Sequence, residues 1–124
     1  MGKFIIKSTN TGLKFDLIAS SGEVIASSRI YKLEECALNG IRSVIRSAAA
    51  AAIEDQSVEN FRAKICPKFE IYNDKNSEFR FRLKACNGRI IATSKGYKTL
   101  KSCLNGIESV KKNASDRVIE KADT

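Results

Sequence analysis

Phe79-Arg80-Phe81-Arg82-Leu83-Lys84-Ala85 alternates without a break, Phe79, Phe81, Leu83 and Ala85 on one side and Arg80, Arg82 and Lys84 on the other. Side chains of a strand point to opposite faces at every step, so this is a β-strand with one face in a core and one in water. Upstream, Phe69-Glu70-Ile71-Tyr72 alternates too, and Asn73 to Ser77 has turn composition. Downstream, Asn87-Gly88 predicts a tight two-residue hairpin turn with left-handed backbone, after which Arg89 to Lys95 returns as a third strand. From Thr99 the period changes. Cys103, Ile107, Val110 and Ala114 recur at steps of four, three and four, which is one face of a helix. Gly106 falls inside that run. A mid-helix glycine costs about 1 kcal/mol relative to alanine, which implies that helix and sheet approach too closely there for a side chain.

Sliding the chain over itself by 66 residues places Phe15–Glu54 on Phe81–Glu120 with 18 of 40 positions identical. The matches include Gly22 with Gly88, Ser28 with Ser94, Tyr31 with Tyr97, and Leu38-Asn39-Gly40-Ile41 with Leu104-Asn105-Gly106-Ile107. Phe4 meets Phe69 at a shift of 65, so the second copy has one extra residue in its first turn. In the first copy Ala37, Ile41, Val44 and Ala48 form the helical stripe, and the alanine run Ala48–Ala52 extends that helix. A short apolar segment follows each helix, around Ile53 and around Val118-Ile119, and supplies a last strand. The chain therefore reads as two tandem β-β-β-α-β repeats of an α+β protein, residues 1–57 and 69–124. Residues 58–68 connect them and hold the only proline, and both repeats belong to a single globular unit.

The second copy, from Phe79 to Ala114, resembles the YegP-like family. The resemblance rests on the strand Phe79–Ala85, the turn Asn87-Gly88, Ser94, Tyr97, and the helix run Asn105-Gly106-Ile107 through Ser109-Val110-Lys111 to Asn113-Ala114. It implies one continuous sheet built from both units, their last strands exchanged and the helices packed on one face. A monomer would then be a pseudo-dimer, with weak association of two chains still possible. The family brings no established activity. The first copy departs from the pattern, carrying Asp16 and Ile18 where the second has Arg82 and Lys84, and Ile45-Arg46-Ser47 where it has Lys111-Lys112-Asn113.

Composition excludes more than it points to. With no histidine, no nucleophile elbow, no phosphate loop and no paired-carboxylate motif, the chain is poorly supplied for catalysis, and it reads as a non-enzyme without cofactor or metal. Cys36, Cys66, Cys86 and Cys103 form no C-x-x-C pair and read as buried free thiols that pack. Cys36 falls opposite Ser102, Cys103 opposite Ala37 and Cys86 opposite Ser20, as interchangeable small residues would. A cysteine enzyme is the third reading, behind the two below. Glu34-Glu35 reads as a helix N-terminus, where carboxylates favour the dipole. No membrane span and no leader is evident, so the expected compartment is the cytoplasm.

Net charge is +8, and it is uneven: residues 1–57 carry +1, the connector +2 and residues 69–124 +5. Arg80, Arg82 and Lys84 stand about 7 Å apart along one outward face, near the spacing of phosphates along a nucleic-acid strand, and Tyr72 on the neighbouring strand could stack a base. The alternative is that Glu70 and Glu78 pair with the arginines across the sheet. The sequence thus supports an unassigned, non-enzymatic structural or interaction module first. An RNA- or DNA-binding accessory protein using Arg80, Arg82, Lys84 and Tyr72 is second.

Overall fold

The computed structural model describes residues 2–121. In the first repeat β1 (Gly2–Thr9), β2 (Gly12–Ile18) and β3 (Val24–Ser27) form an antiparallel meander, followed by α1 (Glu34–Ala50) and β4 (Ala52–Asp55). The second repeats this order with β5 (Lys68–Asn73), β6 (Phe79–Lys84), β7 (Ile90–Thr93), α2 (Leu100–Ser115) and β8 (Arg117–Lys121). Phe4 stands opposite Leu17 and Phe69 opposite Leu83, so the two hairpins have the same register and the extra residue of the second copy lies in its β5–β6 turn.

All eight strands join one mixed sheet in the order β4-β5-β6-β7-β3-β2-β1-β8. The meanders meet in the middle, where Ser27 of β3 pairs with Thr93 of β7. The last strand of each repeat leaves its own meander. β4 runs parallel to β5 of the second repeat, and β8 runs parallel to β1 of the first. A helix of 17 residues is about 25 Å long, enough to carry the chain across to the other meander before the last strand begins. The exchange implied by the family resemblance is thus present.

Both helices lie on one face and bury one shared core. Ala37, Ile41, Val44 and Ala48 of α1 and Cys103, Ile107, Val110 and Ala114 of α2 are all buried, as the helical stripes predict. Beneath them the same aromatic set occurs twice. Phe4 meets Phe15 edge-on and Phe69 meets Phe81 edge-on, both at 5.8 Å between centroids. Tyr31 and Tyr97 stack on Phe15 and Phe81 at 6.1 and 6.3 Å. A β-carbon on Gly40 would lie 2.5 Å from Tyr31 Oη and one on Gly106 2.5 Å from Tyr97 Oη, which is the close approach the mid-helix glycines imply. Ser28 and Ser94 explain another repeated identity. Each backbone N–H donates to the carbonyl of Phe15 or Phe81, and each Oγ accepts from that phenylalanine's N–H at 2.9 Å. Each then donates its hydroxyl to the next residue's carbonyl, turning the chain out of the sheet toward its tyrosine.

Three local expectations differ from the structure. At Asn87-Gly88 only Gly88 is left-handed, with φ 81°. Ala85 N–H donates to Arg89 O and Gly88 N–H to Ala85 O, closing a three-residue loop, and the register shifts between Leu83 and Lys84. This is the longer hairpin loop that carries a bulge, and Gly22 at φ 91° serves the first repeat in the same way. The alanine run does not continue α1 to Ala52: the helix ends at Ala50, Ala51 is extended with ψ 133°, and Ala52 opens β4. Pairing with β5 outweighs alanine's helix preference. The third strand is also shorter than expected, ending at Thr93, because Ser94 redirects it. Thr99 caps α2, its Oγ1 accepting from Ser102 N–H at 3.1 Å, and Glu34 and Glu35 occupy the first turn of α1. Among the described residues neither helix is long and apolar enough to cross a membrane.

Candidate contact surface on the open sheet face

The face opposite the helices is built by the outward residues of the alternating strands. Across β4, β5 and β6, Glu54 stands beside Glu70 and Glu70 beside Arg82. Two neighbouring carboxylates repel unless a cation separates them. Lys68 does so, its Nζ 2.8 Å from Glu54 Oε1 and 3.1 Å from Glu70 Oε2. Arg82 Nε donates to Glu70 Oε1 at 2.6 Å, and Lys84 Nζ lies 3.2 Å from Glu70 Oε2. Glu54 also accepts from Gln56 Nε2 and from the Lys64 backbone N–H at 2.7 Å, which ties the connector over it.

These contacts set the protonation of the carboxyls. Burial alone would raise Glu54, whose side chain is only 2% exposed, but the hydrogen bonds from Lys68, Gln56 and Lys64 outweigh it and hold the carboxyl at about 2. Burial also opposes ionisation at Glu70, and Arg82, Lys68 and Lys84 together pull it below the usual range. Bonding to Glu54 raises Lys68 in turn.

Arg80, Arg82, Lys84 and Tyr72 do come together on this face, and carboxylates meet all three cations. Arg80 Nε donates to Asp74 Oδ2 at 2.6 Å and its Nη1 to Ser94 O at 3.2 Å. Arg82 and Lys84 share Glu70, while the Arg82 guanidinium carbon lies 4.5 Å above the Tyr72 ring, so a base stacking there would compete with it. Of the two acidic partners expected from the sequence, Glu70 holds its place and Asp74 stands where Glu78 was expected. Asp74 is fixed in the β5–β6 turn by accepting the N–H groups of Asn76 and Glu78, which aims its other oxygen at Arg80. The four cations Lys68, Arg80, Arg82 and Lys84 face the three carboxylates Glu54, Glu70 and Asp74, leaving one charge unmatched.

In the first repeat the polarity is reversed. Asp16 occupies the place of Arg82 and is buried between Lys7 at 2.9 Å, Lys14 at 3.7 Å and the Ser27 hydroxyl at 2.7 Å. Burial would raise it, but these donors hold its carboxyl below the usual range. The sequence marked Asp16 only as a departure from the second copy. Its signal was a carboxylate set two residues from Lys14 on an outward face.

The thiols depart from expectation. Cys103 alone is buried, Cys66 is half-buried, and Cys36 and Cys86 are exposed, one at the first turn of α1 and one in the β6–β7 loop. Positions interchangeable with serine in the other copy are the exposed ones, while Cys103 shares its core place with Ala37. Burial, with Asp55 nearby, pushes the Cys103 thiol up to about 11, the opposite of what a nucleophile needs.

Fold and surface together define a class: a tandem α+β pseudo-dimer with exchanged last strands and one open, ion-paired sheet face. A domain family described as "Domain of unknown function (DUF1508)" matches residues 8–55 and 74–120, one match per repeat, and the chain belongs to that family. A "UPF0339 protein" of Shewanella oneidensis is 35% identical over 114 residues, covering 92% of this chain and 90% of that one. A "UPF0339 protein in ptx operon 5'region" of Stutzerimonas stutzeri is 71% identical over 48 residues, which span 39% of this chain and 43% of that relative. The solution structure of yegP from E. coli, described as a protein of unknown function, superposes with a TM-score of 0.77 at 30% identity, covering 97% of this chain and 91% of that one. None of these descriptions states an activity, ligand or partner, and none supports nucleic-acid binding.

Proposed function

We propose that this protein is a non-enzymatic structural or interaction module of the cytoplasm whose open sheet face is its contact surface. The observation that carries this reading is the state of that face's charged groups. A general acid or base works best with a pKa near the operating pH, yet Glu54, Glu70, Asp16 and Asp74 are all held below the ordinary carboxylate range by bonded cations. Groups fixed in this way order a surface for recognition and are not poised to move protons.

A second reading, a nucleic-acid accessory protein, draws on the net charge of +8 and on the surplus of one positive charge among the four cations and three carboxylates of the face that carries Tyr72. Fluorescence anisotropy on a labelled single strand at about 0.15 M salt separates the two. The module reading expects no difference between wild type and a variant with Arg80, Arg82 and Lys84 all changed to Gln. Binding that weakens in the variant, with a wild-type logarithmic salt slope near about −2 for three phosphate contacts, would replace it with the second.

A further inference from the structure

On the outer side of α1, Asn39, Arg42, Ile45 and Arg46 line a cleft of about 460 Å³ completed by Arg117, the first residue of β8. Residues 39, 42 and 46 fall on one stripe of the helix, and the strand exchange brings Arg117 against that stripe. Arg42 Nη1 donates to Asn39 Oδ1 at 2.9 Å and Arg117 Nη1 to Ser115 O at 3.3 Å, so neutral acceptors orient two of the guanidiniums and leave their charge uncompensated. Among the described residues no carboxylate oxygen comes within 4.0 Å of any of the three. The sheet face is the opposite case, where Arg80 and Arg82 each hold a carboxylate at 2.6 Å.

General basicity does not account for the cluster. Residues 1–57, which supply two of the arginines, carry a net charge of only +1. The matching places of the second copy hold Asn105, Glu108, Lys111 and Lys112, with Ala51 standing where Arg117 does, so an acid sits among the cations there and Arg42 reverses its sign here. Three like charges lining one cleft repel one another unless an anion joins them.

We propose that this cleft binds a phosphate group. A guanidinium presents paired N–H donors that match phosphate oxygens, and three of them suit a multiply charged anion better than a single carboxylate. The volume exceeds what a phosphate needs and falls within the range of small-ligand pockets, with Ile45 as an apolar wall for the rest of the molecule.

Isothermal titration with inorganic pyrophosphate and with adenosine monophosphate, at about 0.15 M salt, tests the proposal. Saturable binding is expected in the wild type, weakened roughly tenfold or more by Arg42→Glu, which installs the second copy's charge, and by Arg46→Gln. Arg89→Gln, which removes one charge as Arg46→Gln does but at an exposed position of the β6–β7 loop, should bind as the wild type does. All three positions are exposed, and a thermal melt of each variant shows whether folding is retained. Competition by a single strand of roughly ten nucleotides distinguishes the source. Displacement of pyrophosphate assigns the phosphate to a nucleic-acid strand, and failure to displace it assigns a free small phosphate. Absence of saturable binding, or equal weakening by Arg89→Gln and Arg46→Gln, would overturn the proposal.

Discussion

The hydroxyl of Tyr97 occupies the space that a side chain on Gly106 would enter. A β-carbon there would lie 2.5 Å from Tyr97 Oη, 2.9 Å from Cζ and 3.1 Å from Phe81 Cε2, and the same triangle recurs at Gly40, Tyr31 and Phe15. The glycine therefore sets how closely helix and sheet approach.

Gly106→Ala should lower stability although it improves helix propensity. Alanine contributes about 1 kcal/mol in a helix, against the overpacking of a buried aromatic stack, which costs typically about 1–3 kcal/mol. A net loss of up to roughly 2 kcal/mol in urea unfolding is expected. Adding Tyr97→Phe should recover part of it by removing the nearest atom. A variant more stable than wild type would refute this account of the glycine.

Acid should weaken the fold through Glu54. Its folded carboxyl titrates at about 2 against an ordinary value of 4.5, so the stabilisation is complete above about pH 4.5 and is lost as the pH falls toward 2. Glu54→Gln removes that dependence and leaves Lys68 with Glu70 alone. A loss of about 1–3 kcal/mol at neutral pH is expected, with a smaller gap between variant and wild type at pH 2 to 3. Parallel pH–stability curves for the two proteins would contradict it.

Residues 1–57 and 69–124, expressed apart, should not give two folded monomers. Each would carry a last strand whose partner, β5 or β1, lies on the other fragment, and a unit of this size has a marginal core. Size-exclusion chromatography should show the second fragment as a dimer and a mixture of both as a complex. Two well-ordered fragments that ignore each other would disprove the cooperative unit.

Thiol labelling should resolve the cysteines in order. Cys36 and Cys86 react first, Cys66 more slowly, and Cys103, buried and pushed to about 11, only on unfolding. Mass spectrometry after a short pulse of maleimide reads the order. Early labelling of Cys103 would mean that the core opens locally.

The strands, the helices and the repeat were legible in the sequence because each is a local or self-comparing property. Alternation at Phe79–Ala85 needs only neighbouring residues, the stripe Cys103-Ile107-Val110-Ala114 only one helix, and Gly40 with Gly106 only the comparison of the chain with itself. Local preference misled where long-range pairing outweighed it: Ala52 has the composition of a helix and lies in a strand because β5 offers it a ladder. The surface was legible only in part. Arg80, Arg82 and Lys84 do share a face and Glu70 meets them as cross-strand pairing suggested, but charge on a strand does not reveal which carboxylate of a turn folds against it, and turn geometry puts Asp74 where Glu78 was expected. Arg117 beside Arg42 had no sequence signal at all, since the two are 75 residues apart and meet only through the exchange of β8. Periodicity records which side of an element faces the core, a choice made by burial along the chain itself. Which charges stay matched and which stand free depends on distances between separate elements, and those exist only once the two repeats have traded their last strands.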